Sequence, residues 1–445
     1  MNQLLMKRIA QLKNGEIPTG YKKTEFGIFP CDWETDKTFG DLFDFYGGLG
    51  KTREELGEKG HAYLHYGDLH RGAFNVVSHQ QYERLPKCDV HLKGNESYLM
   101  QDGDVAFLDA SEDLEGTSRS VLIDNPENRP FIAGLHIIYG KPKDDCLAKW
   151  FKQYITSTES VKKQFQRLAV GFKVYGVNRE TLSKIHFAYP KSKEEQAGIA
   201  EILMTWDKAI ELHKQQIEKL KQFKSVCLKK MFPAKGQTVP EWRFKGFTDA
   251  WEQRKLGESL AFLKDGTHGT HADAANGPLL LSAKNIKDGT IKWDESDRRI
   301  SQDEYEIIHS TFSLKAGDVL LTIVGSIGET AILRDSVGLT FQRSVAFLRP
   351  CENISSEFLH TSIQTPRFQK ELENRKTTSA QPGIYLGDLA EVPFSFPVQK
   401  EEQEQIGECF GRLDNLITLH QRKVETYQKQ YRILQQYLLN GIVRV

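Results

Sequence analysis

Basic, amide and hydroxyl side chains recur where short apolar runs give way to glycine-containing turns. The segment from Lys149 to Lys184 carries eight lysines and arginines but only two acidic residues, with six aromatic residues between them. Lys and Arg neutralise phosphates, whereas Arg, Lys, Asn, Gln, Ser and Thr hydrogen-bond to the edges of bases. Because binding residues concentrate on loops held by a rigid scaffold, the pattern predicts contacts with a nucleic acid through these turns.

Candidates for these contacts lie in both halves of the chain. Those of the first half are Lys51, Arg53, Arg167, Lys173 and Tyr175. The second half has a loop with the sequence "DGTHGTH", then strand-like runs that end in "SAKNI", "IVGSIG" and "TFQRS", and the basic stretch "ENRK". Its candidates are Thr267, His268, Lys284, Asn285, Ser326, Gln342, Arg343 and Lys376.

Three stretches resemble catalytic or ligand-binding motifs but do not match them. The stretch "YGGLGKT" resembles a phosphate-binding loop, but Phe45 stands where the motif requires its first glycine. The stretch "HAYLHYGDLH" offers His61, His65, Asp68 and His70, yet it is typical of a strand and a turn, and "HGTH" of a polar loop, so no metal site is predicted. Methyltransferase, dinucleotide-binding, helicase and hydrolase signatures are missing, and a non-catalytic chain is expected.

Composition sets the broad class. A chain of 445 residues is long enough for two or three domains, and 60 basic residues balance 60 acidic ones, so net charge points to no particular partner. The six cysteines form no C-x-x-C pair, as expected for reduced thiols. Neither a secretory signal nor a membrane-spanning run is recognisable, and we expect a soluble, cytoplasmic protein.

The chain repeats itself at the scale of a domain. "KEEQAGIAEILMTWDKAIELH" begins at Lys193, and "KEEQEQIGECFGRLDNLITLH" begins at Lys400, 207 residues later. Upstream, "GDVAFLDA" at Gly103 corresponds to "GDVLLTIV" at Gly317, and "DWE" corresponds to "AWE". The sequence therefore predicts two diverged domains of mixed strand and helix content, each followed by a long helix.

The two helices are expected to pair with each other. Each runs for about 35–40 residues without a break and has apolar residues in alternating steps of three and four, the rhythm of a coiled coil. His213 and His420 occupy equivalent seam positions and are candidates for fixing the register, the alternative being histidines at the solvent rim. The seam is predicted to comprise Leu203, Trp206, Ile210, His213, Ile217, Leu220, Leu413, Ile417, His420, Val424, Tyr427 and Leu434.

The beginning of the chain also matches an internal segment. Residues 6–34 resemble "LKKMFPAKGQTVPEWRFKGFTDAWE", which follows the first long helix. What precedes the first domain therefore looks like what should follow the second helix. The repeat is predicted to be circular, with the N-terminal segment close to the C-terminus in space.

Together these motifs resemble the specificity subunit of type I restriction–modification enzymes over essentially the whole chain. The resemblance rests on "DGTHGT" with "PLLLSAKNI", on "GDVLLTIVGSIG", on "QPGI" and on the two "KEEQ" helices. The first domain matches less well, because "GDVAFLDASEDLEG" has no "GSIG" turn.

The resemblance implies an α+β fold with two target recognition domains, each reading half of a bipartite, asymmetric DNA site. The two long helices would form an antiparallel coiled coil that sets the spacing. The implied segments are an N-terminal helical segment (1–20), domain 1 (21–190), spacer helix 1 (191–233), domain 2 (234–397) and spacer helix 2 (398–440).

The implied partners are double-stranded DNA, two methyltransferase subunits and motor-nuclease subunits. S-adenosylmethionine, ATP and Mg would bind only to those partner subunits, and this chain would hold no cofactor. Two alternatives stay open at this stage. One is a coiled-coil interaction scaffold that binds no nucleic acid, which the neutral net charge favours, and the other is an enzyme such as a fused methyltransferase or nuclease.

Overall fold

A computed structural model of the chain describes residues 3–71, 75–111, 113, 116–169, 175–310, 312–377 and 382–445. The chain forms two compact units: unit 1 comprises Met1–Glu211 and Glu425–Val445, and unit 2 comprises Leu212–Val424. Both divisions fall inside the long helices, so each unit contains one α/β domain and one half of each helix. The domain limits drawn above at residues 20, 190, 233 and 397 stay predictions.

Unit 1 contains fourteen short strands among the residues described. They are β1 (Tyr21–Thr24), β2 (Gly27–Pro30), β3 (Trp33–Glu34), β4 (Phe43–Gly47), β5 (His61–Leu64), β6 (Val76–Val77), β7 (Lys87–Cys88), β8 (Val105–Leu108), β9 (Ala110–Ser111), β10 (Ser120–Ile123), β11 (Phe131–Ala133), β12 (Ile137–Pro142), β13 (Tyr175–Gly176) and β14 (Tyr189–Pro190). The main sheet has the order β4-β12-β8-β10-β6, and a smaller sheet has the order β11-β5-β7.

The helices of unit 1 pack beside these sheets. They are α1 (Gln3–Lys13), α2 (Phe39–Leu42), α3 (Tyr66–Arg71), α4 (His79–Tyr82), α5 (Glu159–Leu168), α6 (Arg179–Ser183) and the first long helix, α7 (Lys193–Lys230). Phe39, Phe107, Phe165 and Phe187 form a cluster of aromatic rings at the centre of the core, with ring centroids 5.9–6.5 Å from Phe39. The stretch predicted as strand and turn at "HAYLHYGDLH" is in fact strand β5 followed by helix α3.

Among its described residues, unit 2 contains ten strands, the second half of α7 and five helices that begin within it. Its strands are β15 (Glu252–Lys255), β16 (Leu260–Asp265), β17 (Leu279–Leu281), β18 (Ile286–Lys287), β19 (Thr290–Ile291), β20 (Val319–Thr322), β21 (Thr330–Ile332), β22 (Leu339–Phe341), β23 (Val345–Pro350) and β24 (Pro393–Phe396). Its helices are α8 (Gln302–His309), α9 (Ser356–Ile363), α10 (Pro366–Asn374), α11 (Leu386–Ala390) and the second long helix, α12 (Lys400–Leu439).

The two units share one topology, which confirms the domain-sized repeat. The order β4-β12-β8-β10 in unit 1 corresponds to β16-β23-β20-β21 in unit 2, and all these neighbours are antiparallel. The parallel pair β5 and β11 corresponds to β17 and β22. The pair β3 and β14 corresponds to β15 and β24.

The repeated "GDV" motif makes the same turn in both units. Gly103 and Gly317 have φ values of 83° and 94°, a left-handed conformation that glycine adopts without steric cost. The carboxylates of Asp104 and Asp318 each accept a backbone N–H from three residues upstream, at 2.8 Å. The valine that follows starts a fully buried strand, which explains why the motif precedes an apolar run.

Each long helix begins with a buried glutamine that ties it to its own domain. The Gln196 amide donates to the carbonyls of Pro190 and Cys146 at 2.8 and 2.9 Å and accepts the N–H of Ala148. Gln403 makes the same three bonds, to Pro397, Asn353 and Ser355. Both side chains are wholly inaccessible to solvent, so the last residue of "KEEQ" has a structural role.

The long helices are antiparallel, as contacts within each unit establish. α7 has 38 residues and α12 has 40. In unit 1 the ring of Trp206 packs edge-on against that of Tyr427, with centroids 5.6 Å apart. In unit 2 the Nδ1 atoms of His213 and His420 are 2.8 Å apart. In the same unit Lys224 pairs with Asp414, so a residue later in α7 contacts a residue earlier in α12, the geometry of an antiparallel pair.

The other predicted seam residues lie at the cores or at their margins. Leu203, Ile210, Ile217, Leu413 and Ile417 are buried. Leu220 and Leu434 are partly buried and pack against the cores of their units. Val424, like Trp206, Tyr427 and the two histidines, is half-buried.

Aspartates at equivalent positions anchor the helix pair in each unit. In unit 1, Asp207 on α7 accepts hydrogen bonds from the hydroxyls of Tyr154 and Tyr431, at 2.8 and 3.0 Å. In unit 2, Asp414 on α12 pairs with Lys224, whose ammonium group also donates to the side chain of Gln364, the residue that follows α9. Tyr431 and Lys224 are 207 residues apart, so the same anchor is made from different chemistry.

The N-terminal segment packs against the end of the chain, as the circular repeat predicts. Arg8 donates to the carbonyl of Ile442 at 2.7 Å, and the hydroxyl of Tyr21 donates to that of Gly441 at 2.5 Å. Arg444 bridges Asp32 and Glu195, whereas in unit 2 Arg243 makes a bidentate pair with Glu402, the equivalent of Glu195. The closing arginine of unit 1 therefore comes from the C-terminal segment.

Replacing the buried glutamine of α12 should destabilise unit 2. Gln403→Met keeps the size of the side chain but leaves two carbonyls and one N–H without partners, so we expect a loss of at least about 3 kcal/mol in the free energy of unfolding. Denaturant unfolding followed by tryptophan fluorescence measures this loss. Gln405→Met, at an exposed position of the same helix, is the control and should change stability by less than about 0.5 kcal/mol. Equal effects of the two substitutions would contradict the structural role.

Acid should weaken the helix pair at the two histidines. Burial, and after it the neighbouring His213, lowers the pKa of His420, and two protonated rings would also bring two N–H donors together. A histidine with a lowered pKa in the folded state contributes stability above its unfolded pKa of about 6.5 and loses it as the pH falls below that value.

We therefore expect the free energy of unfolding to fall between about pH 7 and pH 5, and less steeply in His420→Gln than in the parent chain. Chemical denaturation at a series of pH values measures the two slopes. Identical slopes would show that the histidine pair does not contribute.

Candidate nucleic-acid interface

Strand direction brings the predicted contact residues of unit 2 to one side of the domain. The parallel strands β17 and β22 both end there, at Leu281 and Phe341. Strands β16 and β20 also end there, at Asp265 and Thr322, because they run antiparallel to β23, which starts there at Val345. We call this place the strand-end edge of unit 2. The loops that leave it begin at residues 266, 282, 323 and 342.

Backbone hydrogen bonds knit these loops together. The N–H of Thr267 donates to the carbonyl of Phe341 at 2.9 Å, and the N–H of Arg343 donates to the carbonyl of Thr267 at 3.0 Å. The N–H of Gln342 donates to Leu281, which precedes the "SAKN" turn, and Ile323 donates to the carbonyl of Ser344. Thr267, Lys284, Ser326, Gln342 and Arg343, which were predicted from separate motifs, therefore share one edge.

Exposure differs among the unit 2 candidates. His268, Lys284, Ser326 and Arg343 are exposed, whereas Thr267, Gln342 and Lys376 are half-buried. Lys376 pairs with Glu373, and the next residue, Thr377, donates its N–H to Gly383, which bridges to Val324 beside the edge. Arg343 forms no ion pair with any residue that the structure describes, so its guanidinium is available to an external anion.

Asn285 differs from its predicted position at the surface. Its side chain is only 3% exposed and donates to the carbonyl of Lys292 and to the Asp297 carboxylate, both at 3.0 Å, while its oxygen accepts the N–H of Ser282. These bonds hold the "SAKN" turn, and a base contact from this amide would require the turn to open. The bond from Asn285, and after it that from Lys284, lowers the pKa of Asp297 to about 2.

Unit 1 has the equivalent edge with different side chains. Leu49 donates its N–H to Ala133 at 2.8 Å, and Gly134 donates to Leu64 at 3.0 Å, which reproduces the bonds of Thr267 and Gln342. These bonds align Leu49 with Thr267 and Leu135 with Arg343. The same backbone framework therefore presents apolar groups in unit 1 where unit 2 presents a hydroxyl and a guanidinium.

The predicted contacts of unit 1 are partly grouped at this edge. The N–H of Lys51 donates to the Tyr63 hydroxyl, which also accepts the N–H of Leu135. Lys51 pairs with Glu55 at 2.8 Å and Arg53 pairs with Asp68 at 2.9 Å. Exposed pairs of this kind contribute little to stability, so their cations can exchange the carboxylate for a phosphate.

The remaining unit 1 candidates lie further along the chain. Tyr175 is half-buried in β13 and pairs with Ser111 of β9, and Val177 donates its N–H to Asp109 at the end of β8. Arg167 is exposed in the last turn of α5, and among the described residues no hydrogen bond connects it with the edge. Lys173 lies outside the described residues.

Part of the basic segment in unit 1 is structural. Lys149 forms ion pairs with Asp102 and Asp124, at 2.7 and 2.6 Å. Lys152 is buried and donates to the carbonyl of Gly103, and burial lowers its pKa. The run from Lys149 to Lys184 is thus not one continuous binding face, which composition alone did not reveal.

Sequence reasoning missed two exposed rings at the unit 1 edge. Tyr66 follows β5, and His136 precedes β12 with a left-handed φ of 60°. Their rings meet edge-on at 5.3 Å, and Nδ1 of His136 lies 2.9 Å from the Asp109 carboxylate. An alignment of "FIAGLHIIYG" with "LTFQRSVAFL" would have pointed to His136, because it takes the place of Ser344.

The described residues offer neither a metal site nor a membrane-spanning segment. No cluster of three or more His, Cys, Asp or Glu side chains in them is arranged to hold a metal ion. Likewise, none of their helices combines the length and apolar character needed to cross a membrane.

Comparison with known proteins identifies the family. A family model described as the type I restriction modification DNA specificity domain matches residues 30–222 and again residues 270–426. The chain therefore belongs to the family of type I restriction–modification specificity subunits, and the specificity domain occurs in it twice.

Individual relatives agree with this assignment. The type I restriction enzyme MjaVIII specificity subunit of Methanocaldococcus jannaschii is 28% identical over 263 residues, which cover 57% of this chain and 61% of that protein, so less than two thirds of this relative is matched. The putative type I restriction enzyme MjaX specificity subunit of the same organism is 20% identical over 439 residues, 96% of this chain and 97% of the relative.

Solved structures share the fold. The S subunit of a type I restriction–modification system from M. genitalium superimposes with a TM-score of 0.58 at 15% identity, over 91% of this chain and 96% of that one. A chain from a study of complex assembly and conformational transition of the type I R-M system gives 0.52 at 15% identity, over 93% and 99%.

Removing the unpaired arginine at the unit 2 edge should weaken DNA binding. For Arg343→Ala we expect a loss of about 1–3 kcal/mol in binding free energy if the side chain meets a guanine, and a salt-dependence slope smaller by about one if it meets a phosphate. Fluorescence anisotropy over a range of salt concentrations measures both quantities.

Arg334→Ala provides the matched control. Arg334 is also exposed, but it follows β21 at the opposite end of the sheet and pairs with Glu357. We expect this variant to bind DNA like the parent chain. If both substitutions weaken binding equally, the strand-end edge is not the binding surface.

Proposed function

We propose that this chain is the DNA-reading subunit of a type I restriction–modification complex, in which each domain reads one half of a bipartite, asymmetric DNA site. The observation that carries the proposal is the strand-end edge, built twice on one backbone framework but with different side chains. Thr267 and Arg343 in unit 2 stand where Leu49 and Leu135 stand in unit 1. Two diverged readers on equivalent frameworks suit a site with two unlike halves.

The chemistry of these edges suits duplex recognition. Arg343, Lys284 and Lys51 supply cations for phosphates or guanine, and Thr267, Ser326 and Gln342 supply hydrogen-bonding groups for base edges. Lys51, Arg53 and Lys284 each pair with a carboxylate, and a DNA phosphate must displace that carboxylate to bind. Such competition weakens binding to DNA that makes few other contacts and so favours a site that fits both domains. Net neutrality of the whole chain is compatible with this because the cations are local.

Catalysis and cofactor binding are assigned to partner subunits. In this proposal the chain itself is non-catalytic and holds no cofactor, and two methyltransferase subunits bring S-adenosylmethionine while motor-nuclease subunits bring ATP and Mg, in the cytoplasm. The repeated helical sequence supports two equivalent docking sites, since Lys193 and Lys400 begin the same motif. The scaffold without nucleic acid is not favoured, because the family is defined by DNA specificity.

The long helices would set the distance between the half-sites. A helix of 38 residues is about 57 Å long, and seven residues add about 10.5 Å, which equals about three base pairs of DNA. A seven-residue insertion also turns the helix by nearly two full turns, so the seam keeps its face.

Lengthening both long helices by one heptad should therefore lengthen the spacer and leave the half-sites unchanged. The insertions belong next to His213 and His420, so that the antiparallel register is kept. We expect the methylated motif to gain about three base pairs between its halves, as read from sequencing of methylated DNA. A changed base within either half-site would contradict the division of roles, and insertion of two alanines, which shifts the seam, is the control that should abolish the motif.

A further inference from the structure

A relay of three side chains lies beside the strand-end edge of unit 2. The Oγ1 atom of Thr267 is 2.7 Å from Nε2 of His271, and Nδ1 of the same ring is 2.7 Å from Oε1 of Glu304 on α8. The His271 side chain is only 9% exposed, whereas the adjoining loop residues His268, Gly269 and Thr270 are exposed. Neither the family assignment nor the backbone hydrogen bonds between the edge loops explains why these three side chains are linked.

The direction of each hydrogen bond in this relay follows from what each group can donate or accept when the His271 ring is neutral. A carboxylate only accepts hydrogen bonds, so Nδ1 of His271 must carry the proton that it shares with Glu304. A neutral imidazole then has only a lone pair at Nε2, and the hydrogen bond at that atom must come from the Thr267 hydroxyl. The hydroxyl proton is therefore occupied inside the protein.

The oxygen of Thr267 can consequently act only as an acceptor toward the outside. One lone pair faces the N–H of Gly269 at 3.4 Å, a weak bond, and within the described part of the chain no donor occupies the other. A Cβ atom at residue 269 would lie 3.1 Å from the His271 ring, so glycine lets the loop fold closely over the relay. An ordinary serine or threonine hydroxyl can turn to donate or to accept, and this one cannot as long as the His271 ring is neutral.

We propose that Thr267 is a specificity-determining residue of the second domain that selects an exocyclic amino group in the major groove, and that His271 and Glu304 are positioning residues that hold it in the accepting state. In the major groove only the N6 amino group of adenine and the N4 amino group of cytosine are donors; guanine and thymine offer acceptors there. An acceptor-only hydroxyl therefore favours adenine or cytosine at one position. This inference rests on the proposed function.

The relay belongs to one half of the DNA site. The equivalent of Thr267 in unit 1 is Leu49, which has no hydroxyl. Changes in the relay should therefore affect one position within a single half-site and leave the other half unchanged. This restriction separates base selection from a general loss of folding, which would affect the entire motif.

The first test compares variants of the chain assembled with its methyltransferase subunits, with the methylated motif as the readout. We expect Thr267→Val to relax one position that is adenine or cytosine in the parent motif, and Thr267→Ser, which keeps the hydroxyl, to preserve it. His271→Phe frees the hydroxyl to donate, so the same position should also admit guanine or thymine. Thr270→Val, at the exposed threonine of the second "GTH" triplet, is the control and should leave the motif unchanged.

The second test alters the DNA instead of relying on the methylated motif. Binding of the parent complex is measured on duplexes in which one base at a time lacks its amino group, with purine replacing adenine and pyrimidin-2-one replacing cytosine. At one position of one half-site we expect the dissociation constant to rise about tenfold, and Thr267→Val to be insensitive to that same replacement. Which analogue has the effect distinguishes adenine from cytosine.

Three outcomes would overturn the inference. A motif unaffected by Thr267→Val, relaxation at a position that is guanine or thymine, or equal relaxation in both half-sites would each exclude an acceptor-only reader. If the parent complex yields no two-part motif at all, the proposed function fails instead, so the two failures are distinguishable.

Discussion

The fold depends on a buried amide that connects each recognition domain to its long helix. Gln196 and Gln403 each satisfy two carbonyls and one N–H of loops that would otherwise be buried without partners. Leaving such groups unpaired costs about 1–3 kcal/mol each, so the domain cannot move on the helix without losing several hydrogen bonds at once. Whatever the strand-end edges contact, the helices thereby stay in a fixed relation to their own domain.

The contact between each domain and the start of its long helix is completed by different residues in the two units. In unit 2 the arginine opposite the buried Glu402 comes from the segment that follows α7, whereas in unit 1 Arg444 comes from the segment that follows α12. The aspartate anchors also differ, with Tyr154 and Tyr431 on Asp207 but Lys224 on Asp414. Different side chains thus hold the domain in the same position on its helix in both units. This indicates that the position of the domain is constrained, whereas the identities of the side chains that fix it can differ.

Much of this architecture was predictable, because internal repeats and helix seams are recognised from the spacing of residues along the sequence. The 207-residue offset, the heptad rhythm and the resemblance of the N-terminal segment to residues after α7 each predicted contacts that are present within the units. Side-chain availability was not predictable, since it depends on tertiary neighbours. Asn285 is buried by the turn it forms, Lys152 is buried under the Gly103 turn, and the relay of Thr267, His271 and Glu304 joins residues from a loop and from α8 that no local pattern connects.

In the proposed function, each half of the DNA site is read by one domain of this chain. The most direct measurement maps methylated bases in cells that contain the partner methyltransferase subunit. The map is made without this chain, with this chain, and with a variant in which residues 21–190 are exchanged for those of a related specificity subunit. We expect a two-part motif that appears only with the chain and changes in one half alone after the exchange. A motif present without the chain, or altered in both halves by the exchange, would contradict it.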